Sequence, residues 1–280
     1  LTQIFIPEEI GHTYTNDSFE TVKLLDPLSK EKAALRYSMI PSLMKVYNYN
    51  KSRNLNDISI FEMAKGFYLK DDKYNEDYKL CILMTGNYIT ELGHKKNVDF
   101  YILKGIVEEL LNYLGYTNRY SFVIDENIPG ELHPGISASI IMQGELIGCI
   151  GKMHPNVTKD DIYVSEINLT KLLKNKSSRM SFKELSKYPS VTKDLAFIMK
   201  KDILSENIEK VIKKAGGRLL TNIEVFDLYM GENVGADEKS IAYKLTFSDF
   251  NKTLSDEEVM EVFNKIISEV ESKTESKLRG

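Results

Sequence analysis

Leu195-Ala196-Phe197-Ile198-Met199 is followed a few residues on by Ser205-Glu206-Asn207-Ile208-Glu209-Lys210-Val211-Ile212-Lys213-Lys214-Ala215-Gly216-Gly217. The first stretch is a short apolar run bounded by charge, which predicts a strand. The second places Ile208, Val211, Ile212 and Ala215 on one helical face, with Ser205 as its cap and the glycine pair as its stop. Further on, Leu219 to Leu228 predicts a strand, Gly231 to Glu238 a loop and Ser240 to Phe247 another strand. Ser255 with Glu258 makes a capping box, and Val259, Val262, Phe263, Ile266, Ile267 and Val270 form the stripe of a second helix. Lys277-Leu278-Arg279 fits a final edge strand. The order βαββαβ is the split βαβ, ferredoxin-like (RRM-like) arrangement, expected over residues 187–280.

Upstream, the polar, aperiodic Asn175-Lys176-Ser177-Ser178-Arg179 predicts a linker, with a domain boundary between 175 and 187 and a first domain over 1–180. Pro41 fits the first turn of a helix carrying Leu43, Met44 and Tyr47 and ending near Asn54. Ile58 to Tyr68 and Leu80 to Thr85 read as strands joined through a polar hairpin loop, 71–77, and 86–98 reads as a polar connection. From Asp99, Phe100, Leu103, Ile106, Val107, Leu110, Leu111 and Leu114 predict a strong amphipathic helix stopped by Gly115. Strands follow around 121–124, 137–142, 146–152 and 163–169. Strands joined by tight turns, with few helices between them, indicate an α+β plan with an antiparallel sheet.

Composition excludes several classes. No apolar run approaches the ~18 residues of a membrane span. Leu1-Thr2-Gln3 has neither the basic start nor the apolar segment of a signal peptide, and the absence of an initial methionine predicts a piece of a longer protein. Cys81 and Cys149 both sit in apolar strand-like runs, which predicts buried reduced thiols and suits a cytoplasmic protein. The net charge of −4 gives no electrostatic footprint for nucleic acid overall. Residues 187–218, however, hold eight basic against four acidic side chains, a local basic excess.

The tail carries Tyr188-Pro189-Ser190-Val191-Thr192-Lys193-Asp194-Leu195-Ala196, Phe226-Asp227-Leu228-Tyr229-Met230-Gly231, Lys239-Ser240-Ile241-Ala242-Tyr243, Thr253-Leu254-Ser255-Asp256-Glu257-Glu258 and Leu278-Arg279. In this order the blocks resemble the ferredoxin-fold anticodon-binding domain of bacterial phenylalanyl-tRNA synthetase β subunits. The first part resembles the class II synthetase-like core domain of the same family. Its matching stretches are Asp26-Pro27-Leu28-Ser29, Leu35-Arg36-Tyr37-Ser38-Met39-Ile40-Pro41, Ile60-Phe61-Glu62-Met63, Asp99-Phe100-Tyr101-Ile102-Leu103-Lys104-Gly105, His133-Pro134-Gly135 and Ile150-Gly151-Lys152-Met153-His154-Pro155.

The resemblance implies a non-catalytic core, with catalysis in an α subunit of an α2β2 assembly and tRNA(Phe) as partner. It implies no cofactor in this chain, ATP and magnesium belonging to the whole complex. It places the pocket for the first anticodon base, a guanine, on Ala196, Asp227 and Tyr229, with Tyr229 stacking on the base and Asp227 accepting from its N–H groups. Lys193, Arg218 and Ser240 join them as expected tRNA contacts. Met230 departs from the basic residue many relatives carry. Leu43, Met44 and Tyr47 are expected at a subunit interface, with packing onto their own sheet an equal alternative.

The residues themselves speak for a silent core. Phosphate binding of the class II type needs arginines on particular strands. The six arginines are Arg36, Arg53, Arg119, Arg179, Arg218 and Arg279; none follows a glycine-rich strand, and Ile60 to Lys65 contains none. His133 and His154 each precede proline and read as turn residues rather than metal ligands or bases. Asp256-Glu257-Glu258 offsets a helix dipole. Lys210, Lys213 and Lys214 read first as a solvated face. Two alternatives remain: a ferredoxin-like small-molecule sensor, since fold alone does not decide function, and a purely structural assembly module.

Overall fold

The computed structural model describes residues 1–89, 93–178, 186–231, 234–235 and 237–279. Arg179, the last residue of the expected linker, lies outside them, as do most of the expected boundary stretch 175–187 and parts of the expected loop 231–238. The chain divides into two units, Leu1–Met180 and Ser181–Gly280.

Unit 1 is built on alternation. β3 (Ile58–Lys70), β4 (Lys73–Thr85), β7 (Tyr120–Val123), β8 (Leu132–Met142), β9 (Glu145–Met153) and β10 (Ile162–Asn168) form one antiparallel sheet in the order β3-β4-β10-β9-β8-β7. Successive side chains of a strand face opposite ways. Cys81 and Leu83 therefore meet α1 (Ile40–Lys51), while Ile82 and Met84 join the core under α2 (Phe100–Tyr113), which buries Leu103, Val107 and Leu111. Asp99 caps α2, its side chain accepting from Ile102 N–H at 2.7 Å, and Gly115 follows with φ +85°. Two small ribbons, β1 (Phe5–Ile6) with β2 (Ala34–Leu35) and β5 (Asn87–Ile89) with β6 (Lys95–Asn97), and α3 (Leu169–Lys174) complete the unit.

Three expectations need correction here. The hairpin between β3 and β4 turns on two residues, Asp71 and Asp72, both at positive φ, so 73–77 belong to the returning strand. Aspartate tolerates the left-handed region, and a turn of this kind matches the strand twist. The connection 86–98 contains the β5–β6 ribbon. Leu43 (3 % exposed), Met44 (9 %) and Tyr47 (3 %) are buried in their own core because α1 lies on the sheet, so these side chains cannot form a subunit interface.

Unit 2 follows the expected order: β11 (Val191–Lys200), α4 (Ser205–Gly216), β12 (Leu220–Tyr229), β13 (Glu238–Phe247), α5 (Asp256–Lys273) and β14 (Lys277–Leu278). The sheet order is β12-β13-β11-β14, all antiparallel. Leu195, Phe197, Met199, Ile241, Tyr243 and Leu245 pack against Ile208 and Ile212 of α4 and Val259, Ile266 and Val270 of α5. The capping box at Ser255 and Glu258 is formed, and α4 ends at Gly217 with φ +57°. Ser205 is not the cap. It is the first helical residue, and its hydroxyl bonds Glu209 and the buried Tyr243. With both helices on one face, the alternate residues Ala196, Ile198, Ser240, Ala242 and Lys244 stand on the face that α4 and α5 leave uncovered.

Candidate nucleic-acid interface

The uncovered face of unit 2 gathers four of the expected contacts. Register places Asp227 opposite Ala242 and Ala242 opposite Ala196; Tyr229 lies opposite Ser240, and Ser240 opposite Ile198. Asp227 and Tyr229, two apart on one strand, therefore project to the same side. Tyr229 is half-buried and Asp227 exposed, with no hydrogen bond to its carboxylate among the described residues. Ala242 and Ala196 continue the row of Asp227 across β13 and β11, a floor of methyl groups on the same face. The phenol end of Tyr229 rests on Gly231, where an added Cβ would fall 2.3 Å from the hydroxyl oxygen; any side chain at 231 would displace the ring.

Sequence reasoning left Arg279 out of this set. Its backbone N–H donates to Ala196 O at 2.8 Å, and its guanidinium carbon lies 4.8 Å from the centre of the Tyr229 ring. Nη1 reaches Ser240 Oγ at 3.5 Å. Tyr229 and Arg279 together explain why Ser240 is 2 % exposed on an otherwise open face. The signal was available in principle: pairing of Phe197 with Leu278 puts residue 279 beside Ala196 once β14 is known to border β11.

Two expected contacts do not join the cluster. Lys193 pairs with Leu245 and shares the helix-facing parity of Leu195 and Phe197. Arg218 precedes β12 at the end where Leu220 pairs with Phe247, the opposite end from Tyr229, and lies 3.9 Å from Asp249. The local basic excess is likewise dispersed. Lys200 pairs with Glu275 and Lys210 with Glu206, and α4 carries its lysines in the helical layer, across the sheet from Tyr229.

Unit 1 holds a small cleft of about 90 Å³ lined by Tyr14, Asp17, Tyr37, Lys79, Glu166 and Lys171, among others, and by no arginine. Its charged groups already have partners, Lys171 Nζ donating to Leu146 O at 3.2 Å. Lys79 Nζ lies 3.2 Å from Glu166 Oε2 and 3.2 Å from the centre of the Tyr37 ring. Glu166 also accepts from Ser38 Oγ and Met39 N–H, and Tyr37 donates to Asp17. Burial pushes the Tyr37 phenol well above its ordinary range and Tyr14 up to about 12. The nearby Arg36, 1 % exposed, donates to Glu62 at 2.9 Å and is not available as a phosphate clamp.

Burial raises the Glu62 carboxyl, but the bonds from Thr2 and Arg36 outweigh it and hold the pKa below the usual value. A depressed folded pKa stabilises above the unfolded value of about 4.3 and ceases to as pH falls through the folded one. Denaturant midpoints measured from about pH 6 to about pH 3 are expected to drop, and Glu62→Gln to lower the neutral-pH value and flatten that drop. An unchanged slope in the variant would remove Glu62 as a source.

His133 and His154 both bond turn backbone. His133 Nδ1 accepts from Gly135 N–H and His154 Nδ1 from Asn156 N–H, each at 3.1 Å. The ring centres come within 6.3 Å, yet an accepting Nδ1 leaves the proton on Nε2, which is then a donor and not a metal ligand. Cys81 and Cys149 both stand opposite Glu166, on either side of β10. Two strand spacings, roughly 9.6 Å, exceed the ~7 Å limit for a disulfide. Both thiols are free and buried, and burial pushes Cys149 up to about 12.

A family model described as "Phenylalanyl tRNA synthetase beta chain CLM domain" matches residues 1–169, more than half of the chain, and one described as "Ferredoxin-fold anticodon binding domain" matches 186–279. The chain belongs to the phenylalanyl-tRNA synthetase β-chain family. Among its relatives, the phenylalanine–tRNA ligase beta subunit of Bacillus subtilis is 37 % identical over 271 residues, 94 % of this chain and 33 % of the relative. That of Listeria monocytogenes is 38 % identical over 268 residues, 93 % of this chain and 33 % of the relative. The Bacillus licheniformis subunit is 36 % identical over 294 residues, 98 % and 36 % respectively. The chain thus spans about a third of the length of the curated relatives it matches. The β-chain match covers the unit with the self-satisfied cleft, and the anticodon-binding match covers the unit with the Tyr229 cluster. Among the described residues, no helix is long and apolar enough to cross a membrane.

Proposed function

We propose that unit 2 binds the anticodon of tRNA(Phe) and that unit 1 serves assembly, as parts of a cytoplasmic phenylalanine–tRNA ligase, an aminoacyl-tRNA synthetase of protein biosynthesis. The observation that carries the reading is Tyr229 beside the unpaired carboxylate of Asp227, over a floor of two alanines, on a sheet face without a helix. Recognition of an unstacked base needs an aromatic surface and edge hydrogen bonds, and this cluster offers both. Asp227 accepts from the N–H groups of the first anticodon base, and Ser240 and Arg279 hold the ring and the flanking backbone. Titration of fluorescently labelled tRNA(Phe) is expected to show saturable binding that weakens steadily as salt rises. Failure to bind in low salt would end this reading.

Catalysis, with its ATP and magnesium, belongs to an α subunit in an α2β2 complex. The pairing of Lys79 with Glu166 and of Arg36 with Glu62 supports a core that acts by contact. Phe61 (75 % exposed) and Met63 (58 %), on the edge strand β3, are the side chains offered to that partner in place of Leu43, Met44 and Tyr47. Phe61→Lys is expected to reduce co-purification with the α chain without changing Tm. Undiminished co-purification would move the interface elsewhere.

A further inference from the structure

β12 carries a second aromatic ring, Phe226, on the face of Tyr229, at the bulge in that strand. Val225 pairs with Tyr243 and Asp227 with Ala242, so Phe226 and Asp227 both stand opposite one residue. Glu224, opposite Lys244, stands on the uncovered face, and alternation from it puts Phe226 there as well; the inserted residue then brings Asp227 onto the same face beside it. The ring is absent from the core under α4 and α5, is 47 % exposed, and has Lys244 Nζ 5.4 Å from its centre. Lys244 belongs to the uncovered face by the alternation of Tyr243 and Leu245.

Lys244 makes no ion pair among the described residues, although Asp194 and Glu224 flank it in register on β11 and β12. Those two carboxylates make the row unsuited to a phosphate. Together with the lysine they offer both acceptors and a donor beside an aromatic face, which is the chemistry of a nucleobase edge.

We propose that Phe226 and Lys244 form a second base subsite, which stacks an unpaired nucleobase next to the one held by Tyr229. The proposal rests on the RNA reading of unit 2 and extends it from one base to two. Asp227 separates the two rings in sequence and lies between them, so neighbouring bases of one strand would occupy the two rings. Base–aromatic stacking tolerates any base, so this subsite adds affinity and register rather than sequence choice. Lys244 donates to a keto oxygen or ring nitrogen on the base edge.

The test is binding of the 280-residue chain to a synthetic RNA hairpin with the tRNA(Phe) anticodon loop, with circular dichroism to verify folding. Phe226→Leu keeps an apolar side chain without a π-face and is expected to weaken binding about fivefold or more, while Phe226→Tyr retains it. In hairpins with single abasic sites, the Phe226→Leu penalty is expected to vanish at one loop position, adjacent to the position at which the Tyr229→Ala penalty vanishes. If Tyr229→Ala weakens binding and Phe226→Leu does not, the second subsite is wrong and the RNA reading stands. A Phe226→Leu penalty that persists at every abasic position would make its role structural and overturn the subsite. If the wild-type chain does not bind the hairpin at all, both readings fall together.

Discussion

Tyr229→Ala is expected to weaken tRNA(Phe) binding by about five- to 150-fold, the loss of one base–aromatic stack. The ring is half-buried at the end of an edge strand and lies outside the core that α4 and α5 cover. Its main internal partner is the Arg279 guanidinium, a cation–π contact of about 0.5–1 kcal/mol at an exposed site. The Tm is therefore expected to move by only a few degrees, roughly 4–8 °C per kcal/mol for a unit of this size. Tyr229→Phe keeps the π-face and should keep most of the affinity. Binding unaffected in the alanine variant would show that the ring is not a stacking platform. Affinity and Tm collapsing together, with the phenylalanine variant no better, would make it a structural residue.

Glu166→Gln carries the largest expected effect on stability, a loss of about 3–5 kcal/mol. The side chains of Glu166 and Lys79 are 8 % and 4 % exposed, and Glu166 accepts three hydrogen bonds, from Lys79, Ser38 and Met39. Glutamine preserves the shape and much of the hydrogen bonding but leaves the ammonium of Lys79 buried without a counter-charge. The cost comes from that orphaned charge more than from the lost attraction, so Lys79→Met added to Glu166→Gln is expected to recover part of the loss. Denaturant unfolding of the single and double variants measures this directly. A single variant within about 1 kcal/mol of wild type, or a double variant no better than the single, would show that the pair is not the electrostatic unit described here.

The two units were legible to different degrees because their signals are of different range. The βαββαβ order of unit 2 rests on Ile208/Ile212, the Gly216-Gly217 stop and the Ser255/Glu258 box, all local patterns that survive without tertiary information. The Asp71-Asp72 turn was missed because a run of polar residues reads as loop, whereas a strand can be polar where its partner is an edge. Lys193 was placed beside Ala196 by the family resemblance. The period of two along β11 puts it on the other face, with Leu195. Leu43, Met44 and Tyr47 carried a stripe that amphipathicity alone cannot assign to an inner core or an outer partner, and burial decided for the core.

The family resemblance singled out Tyr229 and Asp227; the order of the residues alone disclosed the α+β class, the ferredoxin-like succession of the second unit and buried thiols. Those follow from periodicity, capping and side-chain type, which act within a few residues. Only the tertiary structure decided that Arg279 covers Tyr229, that a bulge sets Phe226 and Asp227 on one face, and that Lys79 and Glu166 close on each other. Each of these joins residues brought together by strand pairing, and register across a sheet depends on the whole set of partners rather than on any one strand.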